Sequence, residues 1–187
     1  MPPKARITKD EILNTTFRLV REKGEEGLSA RVITKEIGCS TQPIYQHFES
    51  MEQLKREVVL IAKNHYDSFL QKEIAKGKRS PYNANCIAYI RFAKEEKELF
   101  KLLFMNDRSE ETDESETEQM ARFAEMIHGE TGISKREAVY CHLEVWAAIH
   151  GIATMLATSR LTWDGKVISR MLSDIFDGIL SQYEEND

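Results

Sequence analysis

Proline constrains this chain more than any other residue. Its four prolines stand at positions 2, 3, 43 and 81. A proline inside a helix removes a hydrogen bond and collides with the preceding turn. Long stretches are therefore open to helix, and apolar residues recur along them at helical spacing. No long segment alternates with the period of two that a half-buried strand requires. The expected fold class is all-α, with about nine helices.

A first helix is predicted over Thr8–Lys23, with Ile12, Leu13, Phe17 and Val20 on one face. Asp10 and Glu11 fall in its first turn, where the helix dipole favours negative charge. It ends near Gly24 and Gly27. Residues 29–48 then read as two short helices joined by a tight turn. Ser29 can cap the first, and Val32, Ile33 and Ile37 face inward. Gly38 sits where the helix must stop, because glycine takes a left-handed conformation without steric cost. Ser40 can cap the second helix, and Pro43 falls in its first turn, where a missing N–H does no damage. Ile44 and Phe48 lie four apart and face inward together. Thr41, Gln42, Tyr45, Gln46 and His47 are left for the opposite face, an arrangement of hydrogen-bonding groups suited to a DNA major groove.

These residues resemble the DNA-binding signature of the TetR family of transcriptional regulators. In that family a run near Ile-Ala-x-x-x-Gly-Val-Ser leads into Tyr-x-His-Phe. Here it stands as Ile33-Thr34, Gly38-Cys39-Ser40 and Tyr45-Gln46-His47-Phe48. By position, Thr41 and Gln42 are candidates for base contact. Glutamine pairs bidentately with adenine, and a threonine methyl meets the methyl of thymine. Pro43 can pack against the same methyl. The resemblance implies phosphate contacts at Tyr45 and His47, and Gln46 can reach backbone or base. Ser29, Arg31 and Lys55 are candidate phosphate ligands, Ser29 equally well a plain cap, and the tail residues Lys4 and Arg6 can reach a minor groove. The sequence departs from the family pattern at Thr34, Thr41, Gln42 and Met51, which leaves few cations near the reading helix.

A fourth helix opens after Ser50 and is predicted to run to about Ala75, with Leu54, Val58, Ile61, Ala62, His65, Tyr66, Phe69 and Leu70 on one broad face. Residues 76–81 break it. Helices are predicted over 83–94 and 97–105. Residues 106–118 hold seven acids against one arginine and no apolar residue, a composition that predicts a mobile, solvated loop. Helices at 119–129 and 135–159 follow, the second opened by Ser134 and Glu137 at capping-box spacing. A last amphipathic helix begins after a turn at 162–165. The expected division is a helix-turn-helix DNA-binding domain over 1–48 and a helical regulatory and dimerisation domain over 49–187.

The last two helices are apolar over arcs wide enough to lie deep in a core or to meet a partner. The resemblance implies that they pair with their copies as a four-helix bundle. Ile152, Met155, Ile168, Met171, Ile175 and Ile179 are the candidate homodimer contacts. It also implies a small-molecule pocket in the body. Tyr66, Phe69, Tyr89, Phe92, Leu103, Phe104, Phe123, Met126 and Trp146 are the candidate liners, although such a stripe is more often plain core. Trp146 and His150 share a helix face and resemble a Trp-x-x-x-His-Gly motif of one regulator subgroup.

A net charge of −5 looks wrong for a DNA binder. Its distribution matters more: residues 1–80 carry 15 Lys and Arg against 11 Asp and Glu, and residues 81–187 carry 11 against 20. A basic contact surface on an acidic body fits that split. The three cysteines, Cys39, Cys86 and Cys141, are scattered and give neither zinc spacing nor a disulfide framework. No phosphate loop, His-Glu-x-x-His or nucleophile elbow occurs, so no enzyme, metal site or cofactor is expected. No apolar run approaches the roughly 18 residues of a membrane span, and the first residues lack a signal-peptide pattern, so a cytoplasmic protein is expected. The expected function is a repressor, released from an inverted-repeat operator on double-stranded DNA when a small-molecule effector binds the body. A body that binds a protein partner instead stays open.

Overall fold

The computed structural model of the chain describes residues 7–106 and 114–184. Among these residues it is all-α. The helices are α1 (Lys9–Lys23), α2 (Ala30–Ile37), α3 (Gln42–His47), α4 (Met51–Ile74), α5 (Pro81–Glu95), α6 (Lys97–Phe104), α7 (Glu114–Thr131), α8 (Lys135–Ala157) and α9 (Gly165–Glu184), with one 3-10 turn at Gly24–Leu28. The chain forms two compact units, Met1–Asp67 with Glu96–Asn106, and Ser68–Glu95 with Asp107–Asp187. The division falls inside α4 rather than at the expected 48/49. The first half of α4 is tied to the head: Lys9 pairs with Glu57 at 2.8 Å, and Phe17 meets the edge of His65 at 5.8 Å.

In the first unit, Thr8 caps α1 by accepting the Glu11 N–H at 3.1 Å. The helix ends at Gly24, whose φ of 66° is left-handed. Gly27 then lies against the backbone of α1, so tightly that a Cβ there would stand 2.5 Å from the carbonyl carbon of Leu19. Ile12, Leu19, Val20, Ile33, Ile44, Phe48, Leu54 and Val58 are buried. α6 packs on α1 and the 3-10 turn. There the Arg21 guanidinium holds both oxygens of the Glu96 carboxylate, which also meets His65 Nε2 at 3.3 Å. Burial pushes the Glu96 carboxyl up, but hydrogen bonds from Arg21 and His65 outweigh it and keep it below the usual carboxylate range.

In the second unit α8 packs against α5, α7 and α9. α5 is buried almost all round, from Tyr82 to Ala93, as an apolar helix at the centre of a core must be. The capping box at Ser134 and Glu137 is present in both directions. Contrary to the expectation that no stretch approaches a membrane span, α8 is apolar and long enough to cross a membrane by length and composition alone. Here its buried face packs on three helices instead.

Three local expectations differ from the structure. Ser29 holds the N-cap position of α2 but makes no side-chain capping bond. The N-cap of α3 is Thr41, not Ser40, and it too makes none. α7 opens at Glu114, inside the stretch read as an acidic loop. Carboxylates disfavour a core, yet the positive end of a helix dipole favours them, so acidity did not mark where the helix begins. Residues 107–113 lie outside the described residues.

Candidate nucleic-acid interface

The turn between α2 and α3 is built by Gly38, left-handed at φ 77° and ψ 36°. Its N–H and that of Cys39 both reach the Thr34 carbonyl, at 2.9 and 3.0 Å. Both bonds close the end of α2 and turn the chain into α3. Ile44 and Phe48 then anchor α3 in the core, at 0% and 2% exposure. The anchoring fixes which side faces out. Thr41, Gln42, Tyr45 and Gln46 are exposed, Tyr45 at 55%, and Pro43 is half-buried. Ser29 and Arg31 are exposed and Lys55 is half-buried. Lys35, exposed one turn after Arg31, completes an i, i+4 pair of cations on α2. That residue was missed, although its spacing from Arg31 was the available signal.

His47 departs from its expected setting. Its Nε2 lies 2.9 Å from the carbonyl oxygen of Ile7, so the ring is engaged by the chain entering α1 and is half-buried. The tail residues Lys4 and Arg6 lie outside the described residues.

The candidate pocket residues fall into separate clusters. Tyr66 meets Phe104 edge-on at 5.2 Å in the first unit, where Leu103 is buried. In the second, Phe69 meets Phe92 at 5.6 Å, and Phe123 stacks on His142 at 4.5 Å. Met126 is half-buried on α7. Trp146 is not among buried liners: it is 45% exposed and stacks on His150. A hydrogen-bonded pair links α5 to α8 twice. Tyr82 Oη lies 3.0 Å from His142 Nδ1, and Tyr89 Oη 2.8 Å from His150 Nδ1. Burial pushes the His142 imidazole down to about 4 and lowers His150 as well. Both rings are therefore neutral at pH 7, and each shares a hydrogen bond with its tyrosine hydroxyl. Tyr82 and Tyr89 gave no signal in the sequence as partners of these histidines, because the pairs are 60 and 61 residues apart.

The candidate interface residues divide similarly. Ile152 and Ile168 are 4% and 5% exposed; they belong to the core of the unit and have almost no area left for a partner. Met155, Met171, Ile175 and Ile179 are half-buried. The large apolar side chains exposed on these helices are Tyr140, Leu143 and Trp146 on α8 and Val167 on α9. Among the described residues no three His, Cys, Asp or Glu side chains gather as a metal site.

Residues 12–58 match the family of bacterial regulatory proteins, tetR family, and residues 83–177 match the tetracyclin repressor-like C-terminal domain. A TetR-like transcriptional regulator from Rhodococcus sp. RHA1 has a similar structure, with TM-score 0.66 at 12% identity over 94% of this chain and 96% of that one. A protein from Vibrio parahaemolyticus described as a TetR family transcriptional regulator has TM-score 0.62 at 19% identity, over 90% and 96%. At such identities the likeness is one of fold. No curated protein sequence matches the chain.

Proposed function

Because this chain belongs to the TetR family of transcriptional regulators, we propose that it is a repressor that grips an inverted-repeat operator as a homodimer and lets go when a small molecule binds its body. In this reading DNA binding belongs to residues 1–48 and regulation and dimerisation to 49–187, although the first compact unit extends through Asp67 and takes in Glu96–Asn106. The observation that carries this reading is the exposed side of α3. Thr41 and Gln42 open the helix, with Tyr45 and Gln46 beside them, while Ile44 and Phe48 hold the opposite side down. In this reading Thr41 and Gln42 meet base edges, with Pro43 against a methyl. Tyr45, Ser29, Arg31, Lys35 and Lys55 meet phosphates, and Gln46 meets either.

The dimer uses the exposed side of α8 and α9, through Tyr140, Leu143, Trp146 and Val167 with Met155, Met171, Ile175 and Ile179. The effector site is centred on the aromatic side chains of the second unit, Phe69, Tyr89, Phe92 and Phe123, with Met126. α4 runs without a break from the head into the body, which supports its role as the lever. An effector that binds the DNA-incompetent arrangement more tightly shifts the population toward it. The site of action is the cytoplasm, where the operator lies.

Selection of binding sequences from random duplex DNA tests the reading. It is expected to return an inverted repeat whose half-sites lie about 34 Å apart, one helical turn. Thr41→Ala with Gln42→Ala is expected to flatten the base preference within each half-site. Recovery of a single unpaired half-site, bound by one protomer, would overturn the dimeric reading.

A further inference from the structure

We infer that Lys9 and Glu57 are positioning residues for operator binding: their ion pair, set over the ring of Phe48, holds the end of the recognition helix, and Lys9 does not itself hold a phosphate. The inference rests on the operator-binding reading above. It begins from the shortness of α3. Six residues make fewer than two turns, too few for a helix to stand on its own hydrogen bonds. Thr41, at its N-cap, adds no side-chain bond. The helix therefore depends on what grips it from outside. Ile44 grips its middle, and Phe48, its C-cap, grips its end. The Phe48 N–H closes the helix on the Ile44 carbonyl at 2.9 Å, and the Phe48 side chain is buried.

Over that ring lies Lys9. Its ammonium stands 5.3 Å from the ring centroid and 2.8 Å from the Glu57 carboxylate. Lys9 is the first residue of α1, where the positive end of a helix dipole disfavours a cation. The local sequence gives the charge no reason to be there, and the two tertiary contacts supply one. They join three elements at one nitrogen: α1 carries the lysine, α4 the carboxylate and the end of α3 the ring. Glu57 is flanked on α4 by Leu54 and Val58, both buried, so the carboxylate is offered from the edge of a packed face. A phosphate approaching Lys9 would meet the Glu57 carboxylate as well, and like charges at such range repel. Neither Lys9 nor Glu57 is fully buried, so loss of their pair strands no charge in the core and acts on the hold over α3 instead.

The test is a double-mutant cycle in the full-length chain, read on an operator recovered by selection from random duplex DNA. Lys9→Met keeps an apolar stem over Phe48 and removes the charge; Glu57→Gln removes the partner of that charge. Each is expected to weaken operator binding about fivefold. The two together are expected to cost no more than either alone, because interacting residues are non-additive. The log–log salt slope is expected to stay that of the parent chain, since no phosphate contact is lost. Without DNA, the Phe48 amide is expected to exchange about fivefold faster in both variants, with thermal midpoints compared to exclude global unfolding. Tighter operator binding by Glu57→Gln, or a slope shallower by about one in Lys9→Met, would identify Lys9 as a phosphate ligand and overturn the inference. So would an unchanged Phe48 amide, or an operator affinity that neither variant alters. If Thr41→Ala with Gln42→Ala still abolishes base preference in any of these cases, the operator-binding reading survives and only the positioning role fails.

Discussion

Acidification from pH 7 to 5 is expected to weaken the second compact unit through His142. The ring is 6% exposed, is hydrogen-bonded to the Tyr82 hydroxyl and stacks on Phe123. Burial holds it at about 4, against an ordinary value of 6.5. Between those two values the unfolded chain binds a proton that the folded chain refuses. Stability therefore rises with pH across that window and is lost as pH falls through it. Integrating the single site from pH 7 to pH 5 gives a loss of about 2 kcal/mol. His150 is shifted in the same direction by burial and adds to the loss. Glu73 and Glu96 are held below the ordinary carboxylate range, so what they contribute disappears only at more acid pH and leaves this window to the histidines.

The assay is urea denaturation followed by far-ultraviolet circular dichroism at pH 7, 6 and 5. His142→Gln is the informative variant, because the amide can donate to or accept from the Tyr82 hydroxyl and nothing titrates. Its absolute stability falls at every pH, since the packing around the ring is lost. Its slope between pH 7 and 5 is expected to flatten by about 2 kcal/mol relative to the parent chain. Parallel pH profiles for the two proteins would refute the assignment of a neutral, buried His142.

Three further outcomes follow from named contacts. Gly27→Ala is expected to destabilise the head by at least ~2 kcal/mol, because the new Cβ meets the Leu19 backbone at 2.5 Å; a loss under about 0.5 kcal/mol in thermal or urea unfolding would mean that the 3-10 turn can retreat from α1. Trp146→Glu, placed on an exposed apolar face, is expected to raise the dimer dissociation constant at least about tenfold, measured by sedimentation equilibrium; an unchanged constant would move the interface elsewhere. Operator binding is expected to show a modest salt dependence, releasing roughly four to six counterions per dimer, and a log–log slope steeper than about −9 would contradict it.

What the sequence made legible was local. Gly38, the pair Ile44 and Phe48, and the capping box at Ser134 each concern residues within one or two turns, where spacing alone settles geometry. Thus the exposed side of α3 followed from the two residues that hold its other side. What escaped the sequence depends on partners distant along the chain. His47 read as an outward residue, with a phosphate contact implied by the resemblance, and nothing near it in sequence pointed to Ile7, 40 positions earlier. Ile152 and Ile168 looked like interface residues because an apolar stripe does not say whether the element it meets belongs to its own chain. Their near-complete burial and the exposure of Trp146 reverse the two expectations together.

The same limit explains the place of α6. By sequence it belongs with the body, and the match to the C-terminal domain at 83–177 runs straight through it. In the structure it is part of the compact unit that holds α3. The reason lies at its first turn. Glu96 is buried and bonded to Arg21 of α1 and His65 of α4, and Glu98 lies over Gly24, where a side chain would collide with its carboxylate. Arg21 is half-exposed, but the Glu96 carboxylate is buried, and parting the two would leave that carboxylate short of its main partner, which costs more than the pair adds. A shift of α6 that opened the Arg21–Glu96 contact would therefore be resisted unless α1 moved with it. α6 is a stretch of the regulatory match that is bonded directly to α1, and Ile7, which precedes the cap of α1, is in turn hydrogen-bonded to His47 at the end of α3.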